Sequence, residues 1–417
     1  MAKMSESRYP LPTGWRWVRL GELVREALPG FASGARDPHG VIQLRMNNVD
    51  TNGNIVWDEF LRVPADPETI AKYQLAVGDV AFNNTNSTAL VGKSALFGGY
   101  SEPVVYSNHF TRLRTLPERL TPDYLAAWLV WQWQLHVFAD LCNQWIGQSA
   151  VQSDKLLALE IPLPSLAEQR RIAAILNEQM AAVERARAAA ETQLAAAREL
   201  PTAYLREVFD TREAAMWQKE PLGSLSVVGP DNGIFKRRID FGIGVPIINV
   251  ADLYRGLAVD LTKVERVNAS VREMERYAVE AGDLFFCRSS LKREGVGWCC
   301  YVREVDEPTV FDCHVMRVRL NRSRAQPEFV AHYWLHPDVR AEVIGKSKTA
   351  TMTTMSQGDL ASVKIPVPPV QAQARIASIL REQHRGVSQL QTSIQLRLNT
   401  INQLPAALLR RAFSGGL

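Results

Sequence analysis

The sequence predicts an α/β (α+β) chain built by tandem duplication, in which two similar mixed domains alternate with two long antiparallel helices. The first observation is a stretch at 161–209 that recurs at 365–413; the copies align without a gap over 49 positions, of which 19 are identical, too many for chance. The second is that apolar residues in both copies recur at steps of three and four, as on one helix face. The third is that the same order of strand and turn signals precedes each copy.

Each repeated stretch is predicted to form a long helix with one narrow apolar stripe. The stripe comprises Ile172, Leu176, Val183, Ala186, Ala190, Leu194, Ala197 and Leu200 in the first copy, and Ile376, Leu380, Val387, Leu390, Ile394, Leu398, Ile401 and Leu404 in the second. A narrow stripe over about 32 residues suits two helices packed along a coiled-coil seam of roughly 48 Å. Pro201 and Pro405 are expected to break or kink each helix at its far end. The plainer alternative, helices that merely cover a core, does not explain the fixed spacing of the repeat.

The duplication divides the chain into four segments. They are a first domain at 1–160, a first spacer helix at 161–210, a second domain at 211–364 and a second spacer helix at 365–417. Gly78-Asp79 and Gly282-Asp283 keep the same offset of 204, and a helix with an N-terminal capping signal is expected from Tyr124 to Leu141. Two divergent domains held apart by rigid helices can read two short sites separated by a fixed gap.

Composition indicates a globular chain in a reducing compartment. The 417 residues are 46% hydrophobic, which suffices for two or three domains with their own cores. No apolar run approaches twenty residues, and the start, residues 1–6, lacks the apolar core of a signal peptide, so we expect a cytoplasmic protein without a membrane partner. Five cysteines without a regular framework agree with this expectation.

A net charge of +4 does not by itself indicate a nucleic-acid partner. The distribution of charge is more informative, because residues 365–417 contain six arginines and one acidic residue, Glu382. Residues 161–210 contain six arginines, six glutamates and one aspartate, so the second helix is the more basic of the two. Such a face could be merely solvated or could contact an acidic partner.

Motifs for catalysis are absent from the sequence. It contains no phosphate-binding loop. It also lacks a dinucleotide fingerprint, because Gly295 and Gly297 have no third glycine and no following helix. We therefore expect no catalytic residue and no cofactor in this chain.

The cysteines and histidines do not predict a metal site. Cys299-Cys300 and Cys313-His314 lack the ligand spacing of zinc sites, so Cys287, Cys299, Cys300 and Cys313 are interpreted as small apolar strand residues. His109 and His314, at equivalent positions, are interpreted as structural histidines rather than base contacts.

Base recognition needs Arg or Lys for guanine and Asn or Gln for adenine. Polar residues of these types in turn-rich surroundings are the candidates: Arg45, Asn47, Asn48, Asn83, Asn84, Asn86, Lys93 and Gln148 in the first domain, and Lys236, Arg237, Arg238, Arg288, Lys292, Arg293, Lys346 and Lys348 in the second. Turns also favour asparagine for backbone reasons alone, so a structural role is the alternative for each residue. The different chemistry of aligned loops, Asn83-Asn84 against Cys287-Arg288, fits two domains that read different bases.

The duplicated layout and the segment PLPSLAEQRRI at 162–172 resemble the specificity (S) subunits of type I restriction-modification systems. The resemblance covers the whole chain. It implies two target recognition domains, each reading half of a bipartite site in double-stranded DNA, joined by two spacer helices. The second copy departs from the pattern, because Ala372 stands where the first copy has Glu168.

The resemblance also implies partners. Methyltransferase (M) subunits and a restriction/translocase (R) subunit would dock on this non-catalytic chain, and they would use S-adenosylmethionine, ATP and Mg²⁺. The assembled complex would be a DNA adenine methyltransferase and an ATP-dependent endonuclease. The sequence lacks the Asn/Asp-Pro-Pro-Tyr/Phe motif of amino-methyltransferases, so methyl transfer would belong to a partner.

Two other classes of function stay open from the residues alone. A stand-alone nuclease would need a carboxylate cluster for metal-assisted hydrolysis. The acidic groups in the sequence are more typical of surface charge than of such a cluster. A scaffold built on a coiled coil would explain the helices but not two domains with polar loops.

Overall fold

The computed structural model describes residues 9–145 and 147–417 and divides into two compact units. Unit 1 comprises Met1–Glu191 and Leu396–Leu417, and unit 2 comprises Thr192–Gln395. The start of the chain, on which the signal-peptide expectation rests, lies outside the described residues. Within the described residues, no helix is both long and apolar enough to cross a membrane.

The first half of the chain forms twelve described strands and the first five helices. The strands are β1 (Arg16–Arg19), β2 (Val24–Pro29), β3 (Val41–Leu44), β4 (Leu61–Val63), β5 (Val80–Asn83), β6 (Thr85–Asn86), β7 (Ser94–Leu96), β8 (Val104–Tyr106), β9 (Phe110–Thr115), β10 (Asn143–Trp145), β11 (Gln148–Ala150) and β12 (Glu160–Leu163). The helices are α1 (Pro67–Tyr73), α2 (Pro122–Gln134), α3 (Val137–Leu141), α4 (Ser153–Leu157) and α5 (Leu166–Phe209).

The second half repeats the order of the strands and has two additional short helices, α6 and α7. Its strands are β13 (Lys219–Pro221), β14 (Ser226–Asn232), β15 (Phe241–Ile248), β16 (Glu265–Val267), β17 (Leu284–Cys287), β18 (Ser289–Ser290), β19 (Cys299–Tyr301), β20 (Val310–Phe311), β21 (Val315–Leu320), β22 (Lys348–Thr349), β23 (Thr353–Thr354) and β24 (Lys364–Pro366). Its helices are α6 (Arg212–Ala215), α7 (Leu222–Leu225), α8 (Val271–Arg276), α9 (Pro327–Trp334), α10 (Pro337–Lys346), α11 (Gln357–Ala361) and α12 (Val370–Phe413).

The two units have the same sheet orders. A four-stranded antiparallel sheet has the order β2-β9-β5-β7 in unit 1 and β14-β21-β17-β19 in unit 2. A three-stranded sheet, β4-β3-β8 or β16-β15-β20, contains one parallel pair in each unit. A small sheet, β10-β11-β6 or β22-β23-β18, and a strand pair, β1-β12 or β13-β24, complete each set. The predicted tandem duplication is therefore confirmed strand by strand.

The repeated Gly-Asp pair forms the turn before the central strand of each four-stranded sheet. Gly78 has a φ of +92°, a left-handed conformation that favours glycine. The buried Asp79 carboxylate accepts the N–H of Ala76 at 2.8 Å and Nε of Arg114 at 2.7 Å. Asp283 has equivalent bonds in unit 2, to Glu280 and Arg319. In each unit the aspartate thus closes the turn and forms an ion pair with an arginine on the neighbouring strand.

The signature glutamine attaches each long helix to the domain before it. Gln169 is fully buried, and its Oε1 accepts the N–H of Thr121 at 2.9 Å. Its Nε2 donates to the carbonyls of Arg119 at 2.9 Å and Pro164 at 3.1 Å. Gln373, also fully buried, makes the equivalent three bonds in unit 2. The retained glutamine therefore satisfies backbone groups at the junction of two elements.

The long helices α5 and α12 each contain 44 residues, about 66 Å at 1.5 Å per residue. Pro201 and Pro405 lie inside them, and the helices continue to Phe209 and Phe413. Of the two expected effects, the break at each proline is wrong, and the kink stays a prediction. Proline has a helical φ, and the backbone bond that it removes is one of many along a packed helix.

The helices run antiparallel where they meet in unit 1. Arg187 Nε, on α5, donates to Asn402 Oδ1, on α12, at 3.0 Å, and Arg171 Nη2 donates at 2.8 Å to the carbonyl of Leu417, just beyond the end of α12. Later residues of α5 therefore meet earlier residues of α12, as the sequence predicts. In unit 2, Gln391 Nε2, on α12, donates to the carbonyl of Ala197, on α5, at 2.9 Å.

Most of the predicted stripe is buried. The buried members are Ile172, Leu176, Val183, Ala190, Leu194, Ala197, Leu380, Val387, Ile394, Leu398 and Ile401, and the half-buried ones are Ala186, Leu200 and Ile376. Leu390 and Leu404 depart from the expectation, because they are 44% and 40% exposed. A strict repeat drifts around a straight helix, so some positions leave the seam.

Two leucines separated by one residue test the seam in unit 1. Leu398 is 6% exposed, whereas Leu396 is 62% exposed. Leu398→Ala should lower the free energy of unfolding by about 2 kcal/mol, since it removes buried methylene groups and leaves a cavity. Leu396→Ala, the matched control, should change it by less than about 0.5 kcal/mol. Chemical denaturation measures both, and equal losses would show that the seam does not form.

The helix expected from Tyr124 to Leu141 is interrupted. It forms α2 and then α3, separated at His136, which has a φ of +60°. Phe138, on α3, is fully buried in the same core as α2. The break lets the second piece turn onto this core.

Candidate nucleic-acid interface

Four segments of unit 2 converge on a concave surface of about 820 Å³, which we call the unit-2 groove. They are the turn after β15, the segment after β17, the turn between β20 and β21, and the β22–β23 hairpin. The residues that line it are Val250, Ala251, Tyr254, Ser289, Ser290, Leu291, Lys292, Glu294, Gly295, Trp298, His314 and Met352. Of the predicted candidates, Lys292 lines the groove, and Arg288 directly precedes the lining residue Ser289.

Backbone hydrogen bonds position the segments of the groove. The N–H of Arg288 donates to the carbonyl of His314 at 2.8 Å, and the N–H of Met355 donates to the carbonyl of Arg288 at 3.0 Å. Arg288, the first residue after β17, therefore connects the β20–β21 turn to the β22–β23 hairpin. Since these bonds use main-chain atoms, they do not depend on the side chain at this position.

Unit 1 has the same frame. The N–H of Asn84 donates to the carbonyl of His109 at 2.9 Å, and the N–H of Val151 donates to the carbonyl of Asn84 at 2.9 Å. The turn after β3 matches too, because Asn48 Oδ1 accepts the N–H of Arg45 at 3.0 Å. In unit 2, Asp252 Oδ2 accepts the N–H of Asn249 at 2.9 Å.

Three candidates of unit 1 are structural residues in this frame. Asn48 is 1% exposed, and its Nδ2 donates to the carbonyls of Val56 and Glu59. Asn83 is fully buried and bonds two carbonyls and Asn86. Lys93 is 7% exposed and donates to the carbonyls of Met46 and Val49. Their side chains are not available to an external partner.

The remaining candidates of unit 1 differ in exposure. Asn84 and Asn86 are half-buried; Asn84 donates to Thr111 Oγ1 at 2.9 Å, and Asn86 donates to Asn83 Oδ1 at 2.7 Å. Arg45 is half-buried, whereas Asn47 and Gln148 are exposed. The exposed amides lie on the segments that correspond to those of the unit-2 groove.

The candidates of unit 2 also divide into exposed and bonded residues. Arg237, Arg238, Lys292, Arg293 and Lys348 are exposed. Arg238 forms an exposed ion pair with Glu265 at 3.2 Å.

Three further candidates have partners within the unit. Lys236 Nζ donates to Glu273 at 2.9 Å, and Lys346 Nζ donates to Ser362 at 2.8 Å. Arg288 Nη1 donates to a carbonyl at 3.3 Å. These bonds reduce their availability, though none of the three is fully buried.

Equivalent positions on these segments carry different chemistry. Unit 1 presents polar groups on Asn47, Ser87 and Gln148. At an offset of 204, unit 2 has Ala251, 84% exposed Leu291 and half-buried Met352. Amides can hydrogen-bond base edges, whereas apolar groups can contact the thymine methyl.

Sequence reasoning missed the exposed apolar residues. Trp145 is 61% exposed on the β10–β11 hairpin, and Leu291 is 84% exposed beside Lys292. Phe235 and Ile239, on the loop before β15, are 73% and 84% exposed. In the sequence, the hairpin is indicated only by the turn residue Gly147. The exposure of Trp145 could not be predicted, because exposure of an apolar residue depends on tertiary packing.

The two equivalent histidines differ in environment. His109 is half-buried, and burial together with the neighbouring Arg45 lowers its pKa, so its imidazole is neutral at pH 7. His314 is exposed, with Nδ1 2.9 Å from Asp312 Oδ1. His314 therefore lies outside the core, and its contact with Asp312 is a hydrogen bond within the β20–β21 turn.

The cysteines of unit 2 are mainly apolar core residues. Cys287, Cys299 and Cys300 are buried in strands, and burial raises the pKa of each thiol. Cys313 is half-buried in the β20–β21 turn, where its Sγ lies 3.4 Å from His314 Nδ1. The lack of a metal in this chain stays a prediction.

Comparisons with known proteins agree with the duplicated fold. A chain from a solved structure on complex assembly and conformational transition of the type I R-M system has a TM-score of 0.72, with 23% identity over 98% of this chain and 100% of that chain. The HsdS subunit from Thermoanaerobacter tengcongensis has a TM-score of 0.62, with 22% identity over 99% of this chain and 100% of that chain. These similarities show a shared fold.

Sequence comparison gives the family. The type I restriction enzyme EcoKI specificity subunit of Escherichia coli (strain K12) is 26% identical over 270 residues, which are 62% of this chain and 58% of that protein. The match thus spans little more than half of that relative's length. The model of the type I restriction modification DNA specificity domain matches residues 14–190 and 216–400. Because both matched regions together make up most of the chain, this chain belongs to the type I restriction modification DNA specificity family.

Proposed function

We propose that this chain is the DNA-recognition subunit of a type I restriction-modification complex and reads a bipartite site with a fixed gap. The main support is the combination of a repeated frame and divergent side chains. Two units with identical sheet orders and equivalent backbone anchors expose different side chains at matching positions. A repeated frame with divergent exposed groups suits the recognition of two different half-sites.

The proposed partners are double-stranded DNA, methyltransferase subunits and a restriction/translocase subunit. The chain itself is proposed to be non-catalytic and to need no cofactor, while its partners use S-adenosylmethionine, ATP and Mg²⁺. We expect the complex to act in the cytoplasm. The groups on the exposed loops suit binding rather than bond cleavage, because amides, hydroxyls and cations recognise bases and phosphates.

The test is methylation mapping with the methyltransferase subunits. The isolated chain should neither methylate nor cleave DNA, and addition of the methyltransferase should create adenine methylation at one bipartite sequence. Cleavage by the pure chain with Mg²⁺ would favour a stand-alone nuclease. An assembled complex that methylates without sequence preference would overturn the recognition role.

Phosphate contacts by the exposed cations of unit 2 can be tested by salt dependence. Replacing Lys292, Arg293 and Lys348 with glutamine should weaken DNA binding by the methyltransferase complex. The plot of log affinity against log salt should also become flatter, by about 0.9 for each phosphate that the variant no longer neutralises. Fluorescence anisotropy at several salt concentrations measures both effects.

The matched control removes the same charge elsewhere on unit 2. Lys219, Lys263 and Lys364 are exposed and lie outside the four segments that form the unit-2 groove, whereas Lys292, Arg293 and Lys348 lie on two of these segments. Their replacement with glutamine should leave the salt slope nearly unchanged. Equal changes in the two triple variants would show that net charge, and not the groove, governs binding.

A further inference from the structure

Each unit contains a cavity between equivalent helices. The unit-1 cavity, about 480 Å³, lies where α2 meets α5 and is lined by Asp123, Ala127, Asn177 and Met180 among others. The unit-2 cavity, about 500 Å³, lies where α9 meets α12. The unit-2 cavity adjoins the unit-2 groove, because Tyr254 and Trp298 border both.

The linings of the two cavities can be compared residue by residue. The glutamine bonds set the correspondence, because Gln169 accepts the N–H of Thr121 and Gln373 accepts the N–H of Gln326. Both cavities have an acidic residue at the equivalent position, Asp123 in unit 1 and Glu328 in unit 2. The pairs, written with the unit-1 residue first, are Asp123 and Glu328, Gly98 and Arg303, Ala127 and His332, Asn177 and Arg381, and Met180 and His384.

The unit-2 cavity therefore has two arginines and two histidines where the unit-1 cavity has neutral residues. Glu328 Oε1 lies 3.7 Å from Arg303 Nη2 and 3.6 Å from Arg381 Nε, both longer than a hydrogen bond. Two guanidinium groups thus share one carboxylate. The other acidic lining residue, Glu382, pairs with Arg385 at 2.7 Å.

The guanidinium groups retain free donors. Arg303 Nε donates to Tyr301 Oη at 3.0 Å, which leaves its two terminal nitrogens for other partners. Arg381 has the ion pair with Glu328 as its only polar contact among the described residues. A guanidinium offers five N–H donors in a planar fork that fits oxyanions.

The two histidines supply unpartnered buried donors. His332 is fully buried, and within the described part of the chain neither ring nitrogen has a hydrogen-bond partner. His384 Nε2 is likewise without a partner there, and the two ring centroids lie 5.0 Å apart. Burial lowers the pKa of both imidazoles, that of His332 to about 3. Each neutral ring has one N–H that can donate to a bound group, and leaving such groups unpaired is costly.

We propose that the unit-2 cavity binds a small oxyanion of the phosphate or sulfate class through Arg303 and Arg381, with the imidazoles of His332 and His384 as further donors. An oxyanion accepts hydrogen bonds from several sides and balances the surplus guanidinium charge. A cation fits less well, because two guanidinium groups lie within 4 Å of the Glu328 carboxylate. The arginines and histidines assigned here do not line the unit-2 groove, so failure of this proposal would leave the proposed function standing.

The test uses the purified full chain, with sodium sulfate as the probe and sodium chloride of equal ionic strength as the reference. Sulfate at about 100 times its Kd should raise Tm by about 5 °C or more, measured by differential scanning calorimetry. Isothermal titration should give one site per chain. A rise no greater than that in sodium chloride would overturn the proposal.

The variants take their residues from the unit-1 cavity. Arg381→Asn with His384→Met installs the side chains present at the equivalent positions and should abolish the sulfate-dependent rise, whatever its effect on Tm without sulfate. Asn177→Ala, in the unit-1 cavity, should leave the rise unchanged. Persistence of the full rise in the double variant would contradict the assigned residues and the site.

A second probe distinguishes a free anion from an anion on a larger ligand. Inorganic phosphate and adenosine monophosphate are compared by the same titration, again with the double variant. Equal affinity indicates a site for the free ion, and tighter binding of the nucleotide indicates that the cavity also holds the attached group; both outcomes support an oxyanion site. If the double variant binds both probes as tightly as the original chain does, the oxyanion site is ruled out.

Discussion

Four residues inserted into each long helix should lengthen the gap between the two half-sites by one or two base pairs and leave both half-sites unchanged. The insertions go between Ala186 and Ala197 in α5 and between Gln391 and Asn402 in α12, because Arg187 contacts Asn402 and Gln391 contacts Ala197. Four residues add roughly 6 Å of helix, against about 3.4 Å per base pair of B-DNA. They also rotate the downstream stripe by only about 40°, so most of the seam can be kept.

Insertions of two residues are the control for this experiment. They rotate the apolar stripe by about 200° and should reduce stability before they alter specificity. Methylation mapping with the methyltransferase subunits reads the gap for each variant. If the four-residue variants methylate at the original spacing, the domains rather than the helices determine the gap, and the spacer role of α5 and α12 is refuted.

Gln373→Ala should destabilise unit 2 by about 3–6 kcal/mol, because it leaves three buried backbone groups without partners. Gln373 Oε1 accepts the N–H of Gln326 at 2.8 Å, and Nε2 donates to the carbonyls of Arg324 at 2.9 Å and Pro368 at 2.8 Å. Gln371, two residues earlier and exposed, is the matched control. Its replacement by alanine should change stability by less than about 0.5 kcal/mol.

A second variant separates the hydrogen bonds from the cavity. Gln373→Met keeps most of the side-chain volume but removes all three bonds, so it should lose most of the same free energy. Denaturant titration followed by tryptophan fluorescence measures the three variants. Full stability of Gln373→Met would show that packing, and not the hydrogen bonds, accounts for the retained glutamine.

The duplication and the long helices could be predicted because they leave periodic marks in the sequence. The repeat at a fixed offset established the two copies, and the steps of three and four indicated both helices. The ends of the helices were less predictable. A proline lowers local helix preference, yet Pro201 and Pro405 are retained inside packed helices, where neighbouring turns offset the missing bond.

The candidate interface was predictable only by residue type. Asn48, Asn83 and Lys93 have the donors that a base contact needs, but nearby carbonyls use those donors inside unit 1. Which carbonyls lie nearby depends on strand pairing across long sequence separations. For the same reason, neither the exposure of Leu291 nor that of Trp145 could be anticipated from neighbouring residues.

The main-chain anchoring of Asn84 and Arg288 has an evolutionary consequence. Each residue ties its neighbouring segments together through its own N–H and carbonyl groups, so substitutions of the side chain leave those bonds in place. Mutations at such positions can accumulate with little selection against misfolding. Side chains at such positions can change while the fold persists, which is what the proposed recognition of two different half-sites requires.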